Sequence, residues 1–138
     1  MNRVLGLDIG NKTIGVAVSD PLGILAQGVT TIMRSSKVED VKALKRIIDE
    51  YKVEKLIVGL PKNMNNSMGF QATRTLNYAE YLKEALAMEI EFVDERLTTA
   101  SATRALMEGG VRRENRKKHV DKLAAVLILQ TYLDQQSL

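Results

Sequence analysis

Val4-Leu5-Gly6-Leu7-Asp8-Ile9-Gly10-Asn11-Lys12-Thr13-Ile14-Gly15-Val16-Ala17-Val18-Ser19-Asp20-Pro21-Leu22-Gly23 is the stretch that decides the fold. Residues 4–9 are a short apolar run. After it, Ile14, Val16 and Val18 alternate with Gly15, Ala17 and Ser19, the period of two that marks a strand packed by one face. Asn11 and Lys12 supply the turn between the two strands. Asp20 to Gly23 supply the next, with Pro21 where type I and II turns favour it. A third strand over 24–33 completes an antiparallel meander.

Downstream the period changes. Val41, Leu44, Ile47, Ile48 and Tyr51 recur at helical spacing and predict a helix over 38–51, with Ser35 or Ser36 as its cap. Residues 55–59 read as a buried strand, 61–69 as a polar loop, 72–86 as a second helix and 90–93 as a short strand. A third helix is expected over 100–108, capped by Thr98 or Thr99 and stopped at Gly109-Gly110. The last helix is expected over 120–133, where Val120, Leu123, Ala124, Leu127, Ile128 and Thr131 make an inward stripe. Three antiparallel strands followed by strands alternating with helices predict an α/β fold: a mixed five-stranded sheet with helices on both faces. Right-handed crossovers then bring the ends of strands 1, 4 and 5 to one edge, where chemistry gathers in such folds. With no internal repeat and no long linker, residues 1–138 are expected to form a single domain.

The composition bounds the chemistry. The chain has 138 residues, 45% hydrophobic and 27% charged, within the range of an ordinary globular domain. A chain of this length buries roughly 68% of its unfolded surface, so it needs no disulfide or metal staple. No cysteine is present, which excludes a thiol nucleophile, a Cys-ligated zinc site and an iron-sulfur cluster, and fits a reducing cytoplasm. Any metal must therefore use oxygen or the single His119. No apolar run approaches the ~20 residues of a membrane span, and the first ten residues lack a signal-peptide plan. The expectation is a cytoplasmic protein without a membrane partner.

The net charge is +3, a weak pointer to nucleic acid by itself. Its distribution says more: Arg112, Arg113, Arg116, Lys117 and Lys118 stand against Glu114 alone in one short stretch, which leaves the remainder slightly acidic. With four Tyr, two Phe and no Trp, a base-stacking platform is not expected. Contact with phosphates fits this composition better.

Three carboxylates stand out. Asp8 stands near the end of an otherwise apolar strand; it either serves a site or accepts local hydrogen bonds at the Asn11 turn. Asp94 and Glu95 end the fifth predicted strand, and a period of two sends their side chains to opposite faces, so that one of them joins Asp8. The alternative is an ion pair with Arg96 or an acid at a helix start. Asp121 is expected in the first turn of the last helix, where the helix dipole alone would account for it, although Ala124 and Ala125 permit a close helix. Three convergent carboxylates without Cys suit magnesium, which prefers oxygen ligands and commonly shares substrate phosphates. Two such ions ~3.5–4 Å apart activate a water and stabilise a leaving oxygen in phosphodiester cleavage. Lys12, beside Asp8, is either a phosphate contact or a polar turn residue, and His119 is either a proton carrier near Asp121 or a continuation of the basic run.

These segments resemble a known family. Leu5-Gly6-Leu7-Asp8-Ile9-Gly10, Val58-Gly59-Leu60-Pro61 with Asn63 and Met64, Asp94-Glu95-Arg96-Leu97-Thr98-Thr99 and Asp121-Lys122-Leu123-Ala124-Ala125 are similar to those of the YqgF/RuvX family, in order and over nearly the whole chain. The resemblance implies a ribonuclease H-like nuclease domain over 1–138. It implies a metal-dependent hydrolase that matures the 5′ end of pre-16S ribosomal RNA or resolves Holliday junctions. It also implies Asp8, Glu95 and Asp121 as catalytic, metal-ligating residues for Mg2+ or Mn2+, with two ions expected. Lys12, Arg112, Arg113, Arg116, Lys117 and Lys118 are the expected nucleic-acid contacts, RNA being preferred to branched DNA. The more distantly similar resolvase RuvC has an acid at the end of its fourth strand. This chain reads Gly59-Leu60-Pro61-Lys62 there, so its second carboxylate is expected from Glu95, and substrate choice need not follow that resolvase. No dimer interface is announced, and a monomer or weak homodimer is expected. Two rival classes are a non-catalytic nucleic-acid-binding module and a nucleotide clamp of the sugar kinase and actin class, which needs two such domains.

Overall fold

β1 (Arg3–Ile9) and β2 (Thr13–Ser19) form the antiparallel pair that their alternation dictates, with Leu5 opposite Val18, Leu7 opposite Val16 and Ile9 opposite Ile14. The Gly10 N–H donates to the Thr13 carbonyl at 2.8 Å and closes the Asn11–Lys12 turn. β3 (Ala26–Met33) pairs antiparallel with β2. It begins two positions later than the apolar pattern predicts. The Asp20 carboxylate accepts from the Ile24 and Leu25 N–H groups at 2.8 and 3.3 Å, so both residues are held in the loop and remain exposed. These coordinates come from a computed structural model that describes residues 3–61, 69–97 and 113–137, with side chains except at 97 and 113–121.

α1 (Lys37–Tyr51) starts at Ser36, whose hydroxyl accepts from the Glu39 N–H at 3.1 Å, one of the two caps expected from sequence. β4 (Val53–Leu60) runs parallel to β1, and β5 (Glu89–Asp94) runs parallel to β4, with α2 (Phe70–Leu86) between them. The sheet order is therefore β3-β2-β1-β4-β5, the mixed five-stranded arrangement read from the chain. Most of the 61–69 loop and the helix expected over 100–108 lie outside the described residues.

The final helix, α3 (Arg113–Gln136), differs most from expectation. It starts at Arg113, not near 120. Arg, Glu and Lys are good helix formers, but the apolar stripe marks only the turns that pack. Those turns carry a core of their own: Ala125, Ile128, Leu129, Tyr132 and Leu133 lie against Ala17, Ile57 and Val93. On the other face Leu44, Ile47, Ile48, Tyr78 and Leu82 of α1 and α2 cover Leu5, Leu7, Val16, Leu56 and Val58. Among the described residues no helix is long and apolar enough to cross a membrane.

Two glycines let α3 settle so low. A Cβ on Gly6 would stand 2.7 Å from Cβ of Leu129 and 3.2 Å from the Ala125 carbonyl oxygen. A Cβ on Gly59 would overlap the Ile128 side chain and reach within 3.2 Å of Cγ of Glu95. A glycine inside a buried strand marks such a close approach.

On the α1/α2 side a polar cluster fixes the entry to α1. Asp40, 3% exposed, accepts from the Tyr78 hydroxyl at 2.9 Å and from the Ser35 N–H at 3.1 Å. The Arg34 guanidinium lies 3.7 Å from the same carboxylate and 4.1 Å from the centre of the Tyr78 ring. Burial, together with the Asp40 carboxylate it donates to, pushes the Tyr78 hydroxyl well above its ordinary value.

The Gly59–Ile128 contact and the Tyr78–Asp40 bond each lead to an expected outcome. Gly59→Ala should lose about 1–3 kcal/mol of stability through overpacking. Ile128→Val, which removes the overlapping methyl, should recover part of that loss, so that the pair departs from additivity by at least about 0.5 kcal/mol in denaturant titrations; strictly additive losses would contradict the contact. Tyr78→Phe should cost about 1–3 kcal/mol near neutral pH by leaving a lone pair of Asp40 without its donor. Because the folded-state phenol titrates above its unfolded value of 10.0, its contribution is complete below about pH 10 and is lost as pH rises from there. The gap between parent and variant should therefore narrow above pH 10, and a constant gap in chemical denaturation would refute that linkage.

Candidate active site

Asp8 is 5% exposed and is the penultimate residue of β1. Side chains alternate along a strand, so Asp8 shares a face with Gly6, the face covered by α3. One step before it Leu7 pairs with Val58, which brings Gly59 of β4 alongside. Gly59 in turn pairs with Val93 of β5. Two residues beyond Val93 stands Glu95, at the start of a 3-10 turn over Glu95–Leu97, 6% exposed. Its Cγ lies on the Gly59 side of the sheet. Two nearly fully buried carboxylates from distant parts of the chain thus occupy one face at one sheet edge, with a glycine between them. Ile128 and Glu95 lie over Gly59, where a side chain would meet both.

Asp94 is engaged elsewhere. Arg96 donates to its carboxylate from the backbone N–H at 3.0 Å, from Nε at 3.1 Å and from the terminal guanidinium nitrogen at 2.6 Å. These bonds raise the Arg96 pKa above its ordinary value and brace the turn on which Glu95 sits.

Asp121 falls in α3, but not in its first turn as expected. With the helix beginning at Arg113, it lies about two turns in, beyond the reach of the helix dipole. The helical period sets it one turn before Ala125 and two before Ile128, both fully buried. The side chains of Asp121 and His119 are outside the described ones. Among the described residues no three metal-ligating side chains cluster; those residues include Asp8 and Glu95.

The basic run is placed differently from the connecting segment expected. Arg113, Arg116, Lys117 and Lys118 belong to the opening turns of α3 itself, while Arg112 is outside the described residues. Lys12 is exposed in the β1–β2 turn, and its carbonyl accepts from the Arg34 N–H at 2.8 Å. On the opposite face of the sheet a cleft of about 210 Å³ opens beside Gly10 and Asn11 and is lined by Arg34, Lys37 and Arg74. Sequence reasoning missed it, because three cations this far apart form no run.

Known proteins resemble this chain over nearly its full length. A family model described as RuvX, Holliday junction resolvase, matches residues 2–135. A protein of Caldanaerobacter subterraneus subsp. tengcongensis named "Putative pre-16S rRNA nuclease" is 57% identical over 135 residues, covering 97% of each chain. One of the same name from Clostridium botulinum strain Hall is 53% identical over 135 residues, covering 98% of each. Among solved structures, Thermus thermophilus RuvC in complex with a Holliday junction substrate superposes with a TM-score of 0.60 at 11% identity, over 99% of this chain and 97% of that one. The yeast mitochondrial Holliday junction resolvase Ydc2 gives 0.61 at 12%, over 99% and 79%. The two structures establish the shared ribonuclease H-like fold, and the family match together with relatives above half identity establishes the lineage: the chain belongs to the RuvX family.

Proposed function

We propose that the protein is a metal-dependent phosphodiester hydrolase that processes the 5′ end of pre-16S ribosomal RNA in the cytoplasm, with residues 1–138 acting as one domain. Asp8, Glu95 and Asp121 are its catalytic, metal-holding residues. The observation that carries this reading is the pair of buried carboxylates, Asp8 and Glu95, on the α3 face of one sheet edge. Carboxylates brought from distant parts of a chain to one sheet edge are the oxygen ligands that hard dications use.

The donor set fits a hard dication. All three groups are carboxylates, the chain has no Cys, and oxygen-only ligation by a few carboxylates suits Mg2+ or Mn2+, with room left for substrate phosphate. Asp8, Glu95 and Asp121 would hold such a dication, which would supply a more acidic water and positive charge at the leaving oxygen of the scissile bond. Around it the chain does the positioning. Gly59 lets the Ile128 turn of α3 settle beside the acids, the Asp94–Arg96 pair holds the Glu95 turn, and α3 brings Asp121 toward the same face. Lys12, Arg112, Arg113, Arg116, Lys117 and Lys118 hold the phosphate backbone without reading bases. Because four of these cations lie on the helix that carries Asp121, substrate binding and the third acid share one element.

RNA is preferred as substrate because the relatives above half identity are named for pre-16S rRNA. Junction resolution is the second reading, favoured by the description of the family model. It asks for two symmetric sites and hence a dimer, whereas RNA processing is satisfied by a monomer or weak homodimer. Asp8→Asn preserves shape while removing a charge. It should lower Mg2+-dependent cleavage of precursor rRNA beyond the roughly 10–100-fold that loss of an outer-shell partner costs, with an unchanged thermal midpoint or a higher one. Offering precursor rRNA and a four-way DNA junction side by side tests the substrate. Unchanged cleavage by Asp8→Asn would end the metal-site reading, and cleavage of the junction alone would reverse the ranking.

A further inference from the structure

We infer that the cleft beside Gly10 and Asn11 is a second phosphate subsite, which holds a backbone phosphate of the nucleic-acid strand on the face of the sheet opposite the acids; as a substrate subsite it rests on the nuclease reading above. Its walls come from three separate elements: the β1–β2 turn, the segment from Arg34 to Lys37 that leads into α1, and the first turns of α2 with Gln71 and Arg74. No lining residue is acidic. Asp40, among the described residues, lies 3% exposed beneath Arg34, is paired with it at 3.7 Å and already accepts from Tyr78 and Ser35. Glu39, the other acid in the first turn of α1, is paired with Lys42 at 3.4 Å. Among the described residues no ion pair engages Lys37 or Arg74. The cleft therefore carries a surplus of positive charge.

That charge is held in place before a ligand arrives. Arg34 donates to the Gly10 carbonyl at 2.6 Å and stacks over Tyr78, which leaves other donors of its five-donor fork to face the cleft. Lys37 lies 5.0 Å from the Tyr81 ring centre and Arg74 lies 5.4 Å from that of Phe70, contacts that orient a cation without neutralising it. Asn11, Gln71 and Asn77 add amide groups. Size decides the ligand class. About 210 Å³ is below the roughly 300–1,000 Å³ of pockets that enclose whole small molecules, so the cleft suits a phosphate group better than a nucleoside.

Its position ties it to the acids. Ile9 and Gly10 line the cleft, and Asp8 immediately precedes them in the chain. Ile9 packs with the α1/α2 core while Asp8 belongs to the α3 face, so successive residues at one strand end address the two sides of the sheet. A nucleic-acid strand crossing that edge meets the acids on one side and the three cations on the other.

The test separates the cleft from the nuclease reading. Inorganic phosphate titrated into the parental protein should shift the amide signals of Gly10, Asn11, Gln71 and Arg74 saturably, and Lys37→Gln with Arg74→Gln should abolish those shifts. Arg34 is left in place because it supports Gly10 and Asp40. In the Asp8→Asn background, which removes cleavage from the measurement, the same double change should flatten the dependence of log affinity for single-stranded RNA on log salt by about 1.4, two contacts of about 0.7 each. Lys45→Gln with Lys83→Gln removes equal charge from the middle of α1 and the last turn of α2, outside the cleft, and should leave the slope unaltered. Absent phosphate shifts, or shifts retained in the double variant, would overturn the site. Phosphate shifts without a change in RNA slope, or an equal change in the control, would overturn its role as a substrate subsite. A parental protein that binds phosphate in the cleft but cleaves no nucleic acid would instead refute the nuclease reading and leave the anion site standing.

Discussion

Everything at the candidate site depends on how closely α3 approaches the sheet. Helices and sheets pack through side chains, and here two strand positions carry none: Gly6 admits Leu129 and the backbone at Ala125, and Gly59 admits Ile128. The approach converts a helix on a sheet into a wall beside a strand end. A side chain at position 59 could enter only by moving the Ile128 side chain that already lies there. Glu95, buried on the turn after β5, brings a carboxylate to the neighbouring strand end.

The other face of the sheet serves the same edge by different means. Asp40 gathers Tyr78, Ser35 and Arg34 into a buried polar cluster, and Arg34 reaches from it to the Gly10 carbonyl. The turn that follows Asp8 is thereby anchored to α1 and α2, and loosening the cluster would loosen the turn. Such networks rigidify a structure when every member is satisfied. The strand end that presents Asp8 is braced by apolar contact with α3 on one side and by charge and hydrogen bonding on the other.

Much of this was legible in the sequence because the decisive signals are short-range. The period of two in Ile14, Val16 and Val18, the helical spacing of Leu44, Ile47 and Ile48, and the serine before Lys37 all act through neighbours along the chain, and the corresponding elements stand where the patterns put them. The failures share a cause. The stripe beginning at Val120 marked only the packed part of α3, so seven charged or polar residues ahead of it went unrecognised as helix. Ile24 and Leu25 looked like strand because their apolar character was visible and the Asp20 carboxylate that holds them in the loop was not. The stretch Gly59-Leu60-Pro61-Lys62 shows along the chain only that it lacks an acid; the contact of Gly59 with Ile128, far along the sequence, forms only in the fold. The cations of the cleft, Arg34, Lys37 and Arg74, meet only after α1 and α2 have packed, and no local pattern announces them.

The central claim is that α3 brings Asp121 to the same metal-holding place as Asp8 and Glu95. Paramagnetic broadening of backbone amide signals by Mn2+ tests it most directly, because each of the three elements has an amide reporter beside its acid. The account predicts that Ile9, Gly10, Arg96 and Lys122 broaden together at one Mn2+ concentration range and sharpen together in Asp8→Asn. Broadening at Ile9 and Arg96 with Lys122 left sharp, or at each element over a different range, would contradict it.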